Sequence, residues 1–495
     1  MCRKSFFLLL FTLTQFAFHA TAQKRVDILL EPDSSAMLYI YLPNAEKSTG
    51  RAVVCCPGGA YVVRAMAHEG TDWAPFFNNR GIALCVLKYR LPNGDRTLPL
   101  ADVSHAFKTV RDSAEAWHVN PNDVGVMGSS AGGHLASMAA TRMPFATRPN
   151  FQILFYPVTT LRRYTHSTTR SQFLGKEVND EAMRQAYSAE CQVRRHVTPP
   201  AIILLSNDDV DVHPSYNGLA YAQAMRNQER DVVVHTYPTG GHGWGFKESF
   251  PYHQQMLSEL GLWLDSLKSP QRDAIRVACI GNSITDGAGI AMSDHFGYPA
   301  QMQKLLGKGY WVRNFGYSGA CMNAKGNQPY MNHPIWKEAK DFNPNIVVVK
   351  LGTNDSKTAN WNASQFQKDY EAMLDTLDNL PSHPRILVAL PVKAWKVQWT
   401  INDSTIVNGV IPTLRKIARR HRLQVIDLHS PFEKDPKLIQ NDGIHPNRKG
   451  AALMARIVAD AIRKASPAIV SQLTRECEMT ETTMREGCND DARWP

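Results

Sequence analysis

The chain has 495 residues, a net charge of +10 at pH 7 and a hydrophobic fraction of 43%. This length and composition predict two or three globular domains with substantial cores, and they exclude an intrinsically disordered chain. Six arginines lie between residues 162 and 195, but no nucleic-acid-binding motif accompanies them, so we expect no nucleic-acid partner.

The first 22 residues have the pattern of a secretory signal peptide. Arg3 and Lys4 precede an apolar run from Phe6 to Leu13, and residues 20–22 (ATA) form a small-residue cleavage site. No later apolar run is long enough to cross a bilayer. We therefore predict a signal peptide over 1–22 and a secreted or periplasmic protein without a membrane span.

Strand and helix patterns alternate from residue 26 to residue 267. Alternating polarity over 26–42 predicts a β-hairpin, and the apolar runs that follow predict strands separated by helices. The predicted strands are 51–56, 82–89, 124–127, 151–156, 201–205 and 232–237, and the predicted helices are 73–79, 100–117, 133–140 and 252–267. This alternation favours a parallel sheet that is covered by helices on both faces.

A serine-bearing turn lies between the strand at 124–127 and the helix that follows it. Residues 128–132 (GSSAG) have the form G-x-S-x-G, which in this context predicts a nucleophile elbow with Ser130 as the nucleophile. Glycines also follow the strand at 51–56. The backbone N–H groups of Gly59 or Ala60, together with that of Ala131, are therefore expected to form an oxyanion hole.

Two later strand ends carry the residue types that would activate this serine. Residues 206–212 contain Asp208, Asp209 and Asp211, and His242 follows the last strand. A histidine takes the proton of a serine hydroxyl and an acid orients the histidine, so the order Ser130, Asp, His242 predicts a catalytic triad.

These residues resemble the bacterial acetylesterases of xylanase clusters within the α/β-hydrolase superfamily, over residues 35–268. The resemblance implies an acid that lies three residues before a valine and is followed by Val-Pro. Asp209 and Val212 fit this pattern, although His213 stands where proline is usual. Asp209 is therefore the predicted acid, Asp208 remains an alternative and Asp211 is a more distant one.

The second half of the chain carries four short motifs in order. They are residues 281–287 (GNSITDG), 314–319 (NFGYSG), 352–355 (GTND) and 442–446 (DGIHP). Together they resemble the GDSL-type SGNH hydrolase family, over roughly 276–465. The resemblance implies Ser283 as nucleophile, His445 as base and Asp442 as orienting acid.

The same resemblance implies three oxyanion donors, namely the N–H groups of Ser283 and Gly316 and the side-chain amide of Asn354. One departure from the family pattern is Asn282, which replaces the usual aspartate of the first motif. Asparagine keeps the size and a carbonyl acceptor but loses the charge, so we expect the local geometry to survive.

The predicted fold class is α/β with two domains. An α/β-hydrolase esterase domain would span 23–268, and an SGNH, flavodoxin-like three-layer α/β/α esterase domain would span 276–470. Residues 471–495 read as a polar tail in which an oxidising compartment would allow Cys477 and Cys488 to pair. No cysteine spacing suggests a metal site, and no cofactor is expected.

The resemblances imply a bifunctional serine carbohydrate esterase that removes O-acetyl groups from glycans such as xylan or another hemicellulose through acyl-enzyme intermediates. An acetylated oligo- or polysaccharide is the expected substrate partner, and the arginines at 162–195 predict a solvated surface or one for acidic glycans. The alternatives are a sialate or pectin O-acetylesterase, one active domain with a degenerate glycan-binding module, or a peptidase activity in the first domain.

Overall fold

The computed structural model describes residues 24–464. The predicted signal peptide, the polar tail and the predicted pair Cys477–Cys488 lie outside the described residues. Two β-sheets organise the chain, and each belongs to one of two units that follow one another in sequence.

The first sheet has eight strands in the order β1-β2-β4-β3-β5-β6-β7-β8. β1 and β2 form the predicted antiparallel hairpin, β2 also pairs antiparallel with β4, and all the other pairs are parallel. The strands are β1 (Lys24–Leu29), β2 (Met37–Leu42), β3 (Ala52–Cys56), β4 (Ala83–Lys88), β5 (Val124–Ser129), β6 (Gln152–Phe155), β7 (Ala201–Ser206) and β8 (Val232–Tyr237).

Helices cover both faces of this sheet. Successive side chains of a strand point to opposite faces, and on β3 Val54 belongs to one apolar cluster while Val53 belongs to another. Helices α2, α3, α4 and α6 pack on the first face, and α1 and α7 on the second. The helices are α1 (Ala74–Asn78), α2 (Thr97–Asp112), α3 (Ser130–Arg142), α4 (Ser167–Leu174), α5 (Glu181–Ala186), α6 (Gly218–Asn227) and α7 (His253–Ser266).

The predicted helix at 100–117 is displaced in the structure, where α2 spans Thr97–Asp112. It begins earlier because Pro99 lies in its first turn, where a missing N–H removes no intrahelical hydrogen bond. It ends earlier because residues 113–118 form turns that finish with His118 in the left-handed conformation (φ 52°). A residue in that conformation cannot continue a right-handed helix.

The second sheet has five parallel strands in the order β10-β9-β11-β12-β13. On β11, Val347 and Val348 again belong to different apolar clusters, so helices lie on both faces and the predicted three-layer α/β/α class is confirmed. The strands are β9 (Ile275–Gly281), β10 (Tyr310–Gly316), β11 (Ile346–Lys350), β12 (Arg385–Ala389) and β13 (Gln424–Ile426).

The helices of the second unit include several short ones at the carboxyl ends of strands. They are α8 (Ser283–Asp286), α9 (Ser293–Phe296), α10 (Tyr298–Leu306), α11 (Pro334–Asp341), α12 (Ala363–Asp378), α13 (Asp403–Thr405) and α14 (Ile411–Arg420), followed by α15 over 448–464. A π-helical turn (Ile406–Val410) joins α13 to α14. Within residues 24–464, no helix is both long and apolar enough to cross a membrane.

The two units are in direct contact. The joint between α7 and β9 is short. Asn120 Nδ2 of the first unit donates a hydrogen bond to the carbonyl oxygen of Pro270 in this joint (2.8 Å). Arg148 donates two hydrogen bonds of 2.9 Å to the Glu338 carboxylate on α11, and Arg194 donates a third. Burial alone would raise the pKa of Glu338, but the Arg148 guanidinium holds it below its usual value. These buried ion pairs fix one unit against the other.

Candidate active sites

The first site is built on the turn between β5 and α3. Ser130 starts α3 in a left-handed conformation (φ 52°), which is strained for a residue with a side chain and is typical of a nucleophile elbow. A Cβ on Gly128 would lie 2.2 Å from the carbonyl oxygen of Gly132, and a Cβ on Gly132 would lie 2.0 Å from that of Cys56. Only glycines therefore allow strand and helix to pass this closely.

The structure brings the three predicted triad residues of the first unit together. His242 Nε2 lies 2.8 Å from Ser130 Oγ, and His242 Nδ1 lies 2.7 Å from Asp209 Oδ2. The other oxygen of Asp209 accepts the backbone N–H groups of Asp211 (3.0 Å) and Val212 (2.8 Å). The carboxylate is thus buried and fixed, with one oxygen turned to the imidazole.

Asp208 has a different set of partners from Asp209. Its carboxylate accepts the backbone N–H groups of Gly240 (3.2 Å) and Gly241 (2.8 Å) and lies at the surface. It therefore anchors the loop that carries His242 without meeting the imidazole. His213, which stands where proline was expected, does not prevent this arrangement.

Of the predicted oxyanion donors of the first unit, Ala131 directly follows Ser130, and Gly59 and Ala60 directly follow Gly58. A Cβ on Gly58 would be 2.9 Å from Ser130 Cβ, so the glycine loop contacts the nucleophile closely. Gly59 and Ala60 have positive φ angles (125° and 56°), and within the described residues their N–H groups meet no acceptor. Ala131 is the second residue of α3, where backbone N–H groups lack intrahelical partners.

Two residues of this site were missed by the sequence analysis. The buried Glu69 carboxylate accepts Gly58 N–H (2.7 Å) through one oxygen and Tyr156 O–H (2.8 Å) through the other. The Tyr156 hydroxyl also accepts Gly245 N–H (2.8 Å), and its ring centroid lies 4.7 Å from that of His242. Tyr156 ends a predicted strand and could have been found, whereas Glu69 lies in an aperiodic stretch.

The second site is arranged in the same way on an unrelated sheet. His445 Nε2 lies 2.8 Å from Ser283 Oγ, and His445 Nδ1 lies 2.7 Å from Asp442 Oδ2. Asp442 Oδ1 accepts the backbone N–H groups of Ile444 (2.8 Å) and His445 (3.0 Å). Burial acts to raise the pKa of Asp442, but these hydrogen bonds and the imidazole hold it below its usual value, which keeps the acid ionised.

The predicted oxyanion donors of the second unit differ in availability. Ser283 begins α8, so its N–H has no intrahelical partner, and Asn354 donates one amide N–H to the Ala320 carbonyl (3.0 Å) and keeps a second. The N–H of Gly316, in contrast, already donates to Asn314 Oδ1 (2.8 Å). In this structure Gly316 is therefore placed beside the nucleophile turn with its N–H occupied.

The sequence analysis also missed Lys350, a buried lysine that contacts Asn282. Asn282 Oδ1 caps α8 by accepting Ile284 N–H (3.2 Å), and it also accepts from Lys350 Nζ (3.3 Å). Lys350 Nζ donates in addition to Thr353 Oγ1 (2.9 Å). Burial lowers the pKa of Lys350 from 10.5 to about 7. The uncharged Asn282 thus faces a lysine that burial drives toward its neutral form.

Exposed aromatic side chains lie beside His445 and on a groove of the first unit. The Trp399 ring centroid is 5.8 Å from that of His445, and 55% of Trp399 is exposed. In the first unit, Tyr164 and Tyr216 stack with centroids 4.4 Å apart, and Tyr216 follows Asp209 on the same loop.

The predicted arginine cluster is divided between two surfaces. Four of its members line a groove with these two tyrosines, namely Arg162, Arg163, Arg170 and Arg184. Arg194 and Arg195 instead face the second unit.

Comparison with known proteins agrees with the two units. Residues 53–246 match an alpha/beta hydrolase fold family, and residues 279–453 match the GDSL-like Lipase/Acylhydrolase family. An acetylxylan esterase from Xylanibacter ruminicola is 47% identical over 464 residues, which cover 90% of this chain and 96% of that protein. The chain belongs to the family of that acetylxylan esterase.

Family membership confirms the predicted class, a serine carboxylic ester hydrolase of the carbohydrate-esterase kind. Endo-1,4-beta-xylanase B of Butyrivibrio fibrisolvens is 32% identical to this chain over 224 residues, which cover 42% of this chain and 34% of the xylanase. The crystal structure of an acetyl ester-xyloside bifunctional hydrolase from Caldicellulosiruptor lactoaceticus aligns with 50% of this chain and 98% of its own chain, at 26% identity and a TM-score of 0.46.

Proposed function

We propose that this esterase is an exported enzyme with two active sites, one at Ser130 and one at Ser283, and that both remove O-acetyl groups from a glycan. One observation carries the proposal: in both units a histidine joins a serine (2.8 Å) to a buried or half-buried aspartate (2.7 Å). Such an array lets a serine hydroxyl act as a nucleophile near neutral pH. Export rests on the sequence pattern of residues 1–22.

At the first site, Ser130 Oγ attacks the acetyl carbonyl carbon while its proton passes to His242 Nε2. Asp209 stabilises the resulting imidazolium through Nδ1–H. The N–H group of Gly59 or Ala60, together with that of Ala131, then donates to the oxyanion. The C–O bond to the sugar then breaks, the sugar oxygen takes the proton from His242, and acetyl-Ser130 remains. Water, deprotonated by the same imidazole, releases acetate.

At the second site, Ser283, His445 and Asp442 perform the same two half-reactions. Here the oxyanion donors are the N–H of Ser283 and the free amide N–H of Asn354. The Gly316 N–H would join them only by leaving Asn314 Oδ1. The two sites thus share their nucleophilic chemistry but present the oxyanion with different donors.

An acetylated xylan or another hemicellulose is the proposed substrate. Aromatic faces stack on the apolar faces of sugar rings, and each unit has exposed aromatic rings that could do so: Trp399 near His445 in the second unit, and Tyr164 and Tyr216 on the arginine-lined groove of the first. The names of the two curated relatives, an acetylxylan esterase and a xylanase, point to the same polymer.

Single and double serine substitutions test the two-site proposal. Ser130→Ala and Ser283→Ala are each expected to retain acetyl-ester hydrolysis from the other site, and the double variant is expected to lose nearly all of it. Loss of triad function typically costs about 10⁴–10⁶ in turnover, so residual activity of the double variant should be negligible beside either parent. A single variant that is silent on every ester would refute the two-site proposal.

Two further measurements separate the finer parts of the proposal. Acetate release from acetylated xylan, pectin and a sialoglycan identifies the polymer, and no release from xylan would refute the proposed substrate. Peptide p-nitroanilides test the peptidase alternative in parallel. For export, the N-terminal residue of the protein recovered outside the cytoplasm is expected to be Gln23.

A further inference from the structure

A segment of the first unit, residues 194–197, packs into the second unit and contacts Asp286, the last residue of the short helix that begins at Ser283. Val197 belongs to the apolar core of the second unit, together with β-strand residues such as Val347. The carbonyl oxygen of His196 accepts a hydrogen bond from Arg313 on β10 (2.9 Å). The second unit therefore completes part of its core with the first unit.

The ring of His196 is buried between two carboxylates of the second unit. Its Nε2 lies 2.8 Å from Asp286 Oδ1, and its Nδ1 lies 2.7 Å from Asp294 Oδ1. The neighbouring Arg195 adds an ion pair to Asp286 (3.1 Å) and a hydrogen bond to Ser293 Oγ (2.8 Å). Carboxylate oxygens only accept, so the imidazole donates to one of the two carboxylates when it is neutral and to both when it is protonated, and the Arg195 guanidinium pairs with Asp286 in either state.

Asp286 connects these contacts to the nucleophile. It is the last residue of α8, which begins at Ser283, and its N–H donates to the carbonyl oxygen of Asn282 (2.9 Å). Its second carboxylate oxygen accepts the hydroxyl of Ser318. A Cβ on Gly316 would lie 2.1 Å from Asp286 N, so the backbone at Gly316 packs directly on this turn. One carboxylate thus ties the Ser283 turn to the loop after β10.

We propose that His196 and Arg195 of the first unit are positioning residues for the Ser283 site of the second unit. This inference rests on the proposed catalytic role of Ser283. The two residues hold Asp286, and Asp286 holds the turn that aims Ser283 at His445. The first unit would then carry its own active site and also position the Ser283 turn in the active site of the second unit.

The same substitution placed in two backgrounds tests this role with a small aryl acetate. In full-length Ser130→Ala, where Ser283 supplies turnover, His196→Ala is expected to lower kcat by about 10- to 100-fold, since small displacements of reacting groups cost about that much. KM should change far less, because the residue does not touch substrate. In full-length Ser283→Ala, His196→Ala is expected to leave kcat and KM of the Ser130 site unchanged.

Two further variants separate positioning from general stability. His196→Gln keeps one N–H that reaches toward Asp286, so it is expected to recover part of the lost kcat. His295→Ala removes another contact across the same boundary, the exposed one between His295 Nε2 and Asp231 (2.8 Å), and is expected to leave kcat at both sites unchanged. Thermal unfolding of every variant is measured alongside.

The outcomes are distinct. A parent Ser130→Ala protein without Ser283-dependent hydrolysis would refute the proposed second active site, and the positioning role with it. An active parent whose kcat is unaffected by His196→Ala would refute the positioning role alone. Equal losses at the Ser130 and Ser283 sites would also refute it, because they would show a general folding defect.

Discussion

Replacing Lys350 by methionine is expected to stabilise the protein at neutral pH and to destabilise it at high pH. Methionine has nearly the same length and no charge, so it fills the fully buried space without a charge to desolvate. Burial lowers the pKa of the wild-type lysine from 10.5 to about 7, so the protonated lysine lowers the free energy of unfolding. This loss of stability is complete below pH 7, and it disappears as the pH rises toward 10.5.

The magnitude follows from this difference in pKa. At 1.36 kcal/mol per pKa unit, the buried ammonium costs about 4 kcal/mol of unfolding free energy at pH 7. The variant loses the hydrogen bonds to Thr353 Oγ1 and Asn282 Oδ1, worth about 1 kcal/mol each at any pH. The net gain is therefore about 2 kcal/mol at pH 7; it falls by about 1 kcal/mol per pH unit and changes sign near pH 9.

Urea titrations of the full-length protein at several pH values between 7 and 10 measure this difference. The matched control is Lys337→Met, which removes a lysine whose side chain is 70% exposed, and its effect should not change with pH in the same range. A difference between Lys350→Met and wild type that stays constant from pH 7 to pH 10 would refute the reasoning, since one titrating proton must produce the slope.

The remaining predictions concern the two sites. Asn282→Asp is expected to keep the cap of α8 and most Ser283-dependent turnover, measured in Ser130→Ala. In the Asn282→Asp background, the stability difference between Lys350→Met and its parent is expected to lose its pH dependence from pH 7 to pH 10, because the new carboxylate keeps Lys350 charged. Asp209→Asn should lower kcat of the Ser130 site by about 10⁴, measured in Ser283→Ala, whereas Asp208→Asn should cost at least tenfold less, and the reverse ranking would reassign the acid. Gly132→Ala should abolish Ser130-dependent turnover and lower Tm, because its Cβ would meet Cys56 O at 2.0 Å; an active, stable variant would contradict the close-packing argument.

The sequence by itself predicted the strands of the first sheet and the two serines of the proposed active sites. Strand and helix periods are local properties, and G-x-S-x-G needs only a strand before it and a helix after it to become an elbow around Ser130. Ser283 and His445 were found through short motifs in a fixed order. The pairing of Asp442 with His445 is also local, since three residues separate them on one loop.

The family resemblance favoured Asp209 over Asp208, and the tertiary structure shows that Asp209 is the aspartate that meets His242. Asp208 and Asp209 have the same chemistry, and the path of the loop after β7 turns one toward the backbone of Gly240 and Gly241 and the other toward the imidazole. Local patterns carry no information about that path, because it depends on how β7 and β8 pair.

Contacts between residues far apart in the sequence, within one unit or between the two, were likewise decided by tertiary structure. His196 and Asp286 are 90 residues apart, and Lys350 and Asn282 are 68 apart, yet each pair shares a buried hydrogen bond. Such pairs meet only when sheets and units pack, and most buried polar groups then have a hydrogen-bond partner. Periodicity places each residue on a strand or turn, but packing chooses its partner.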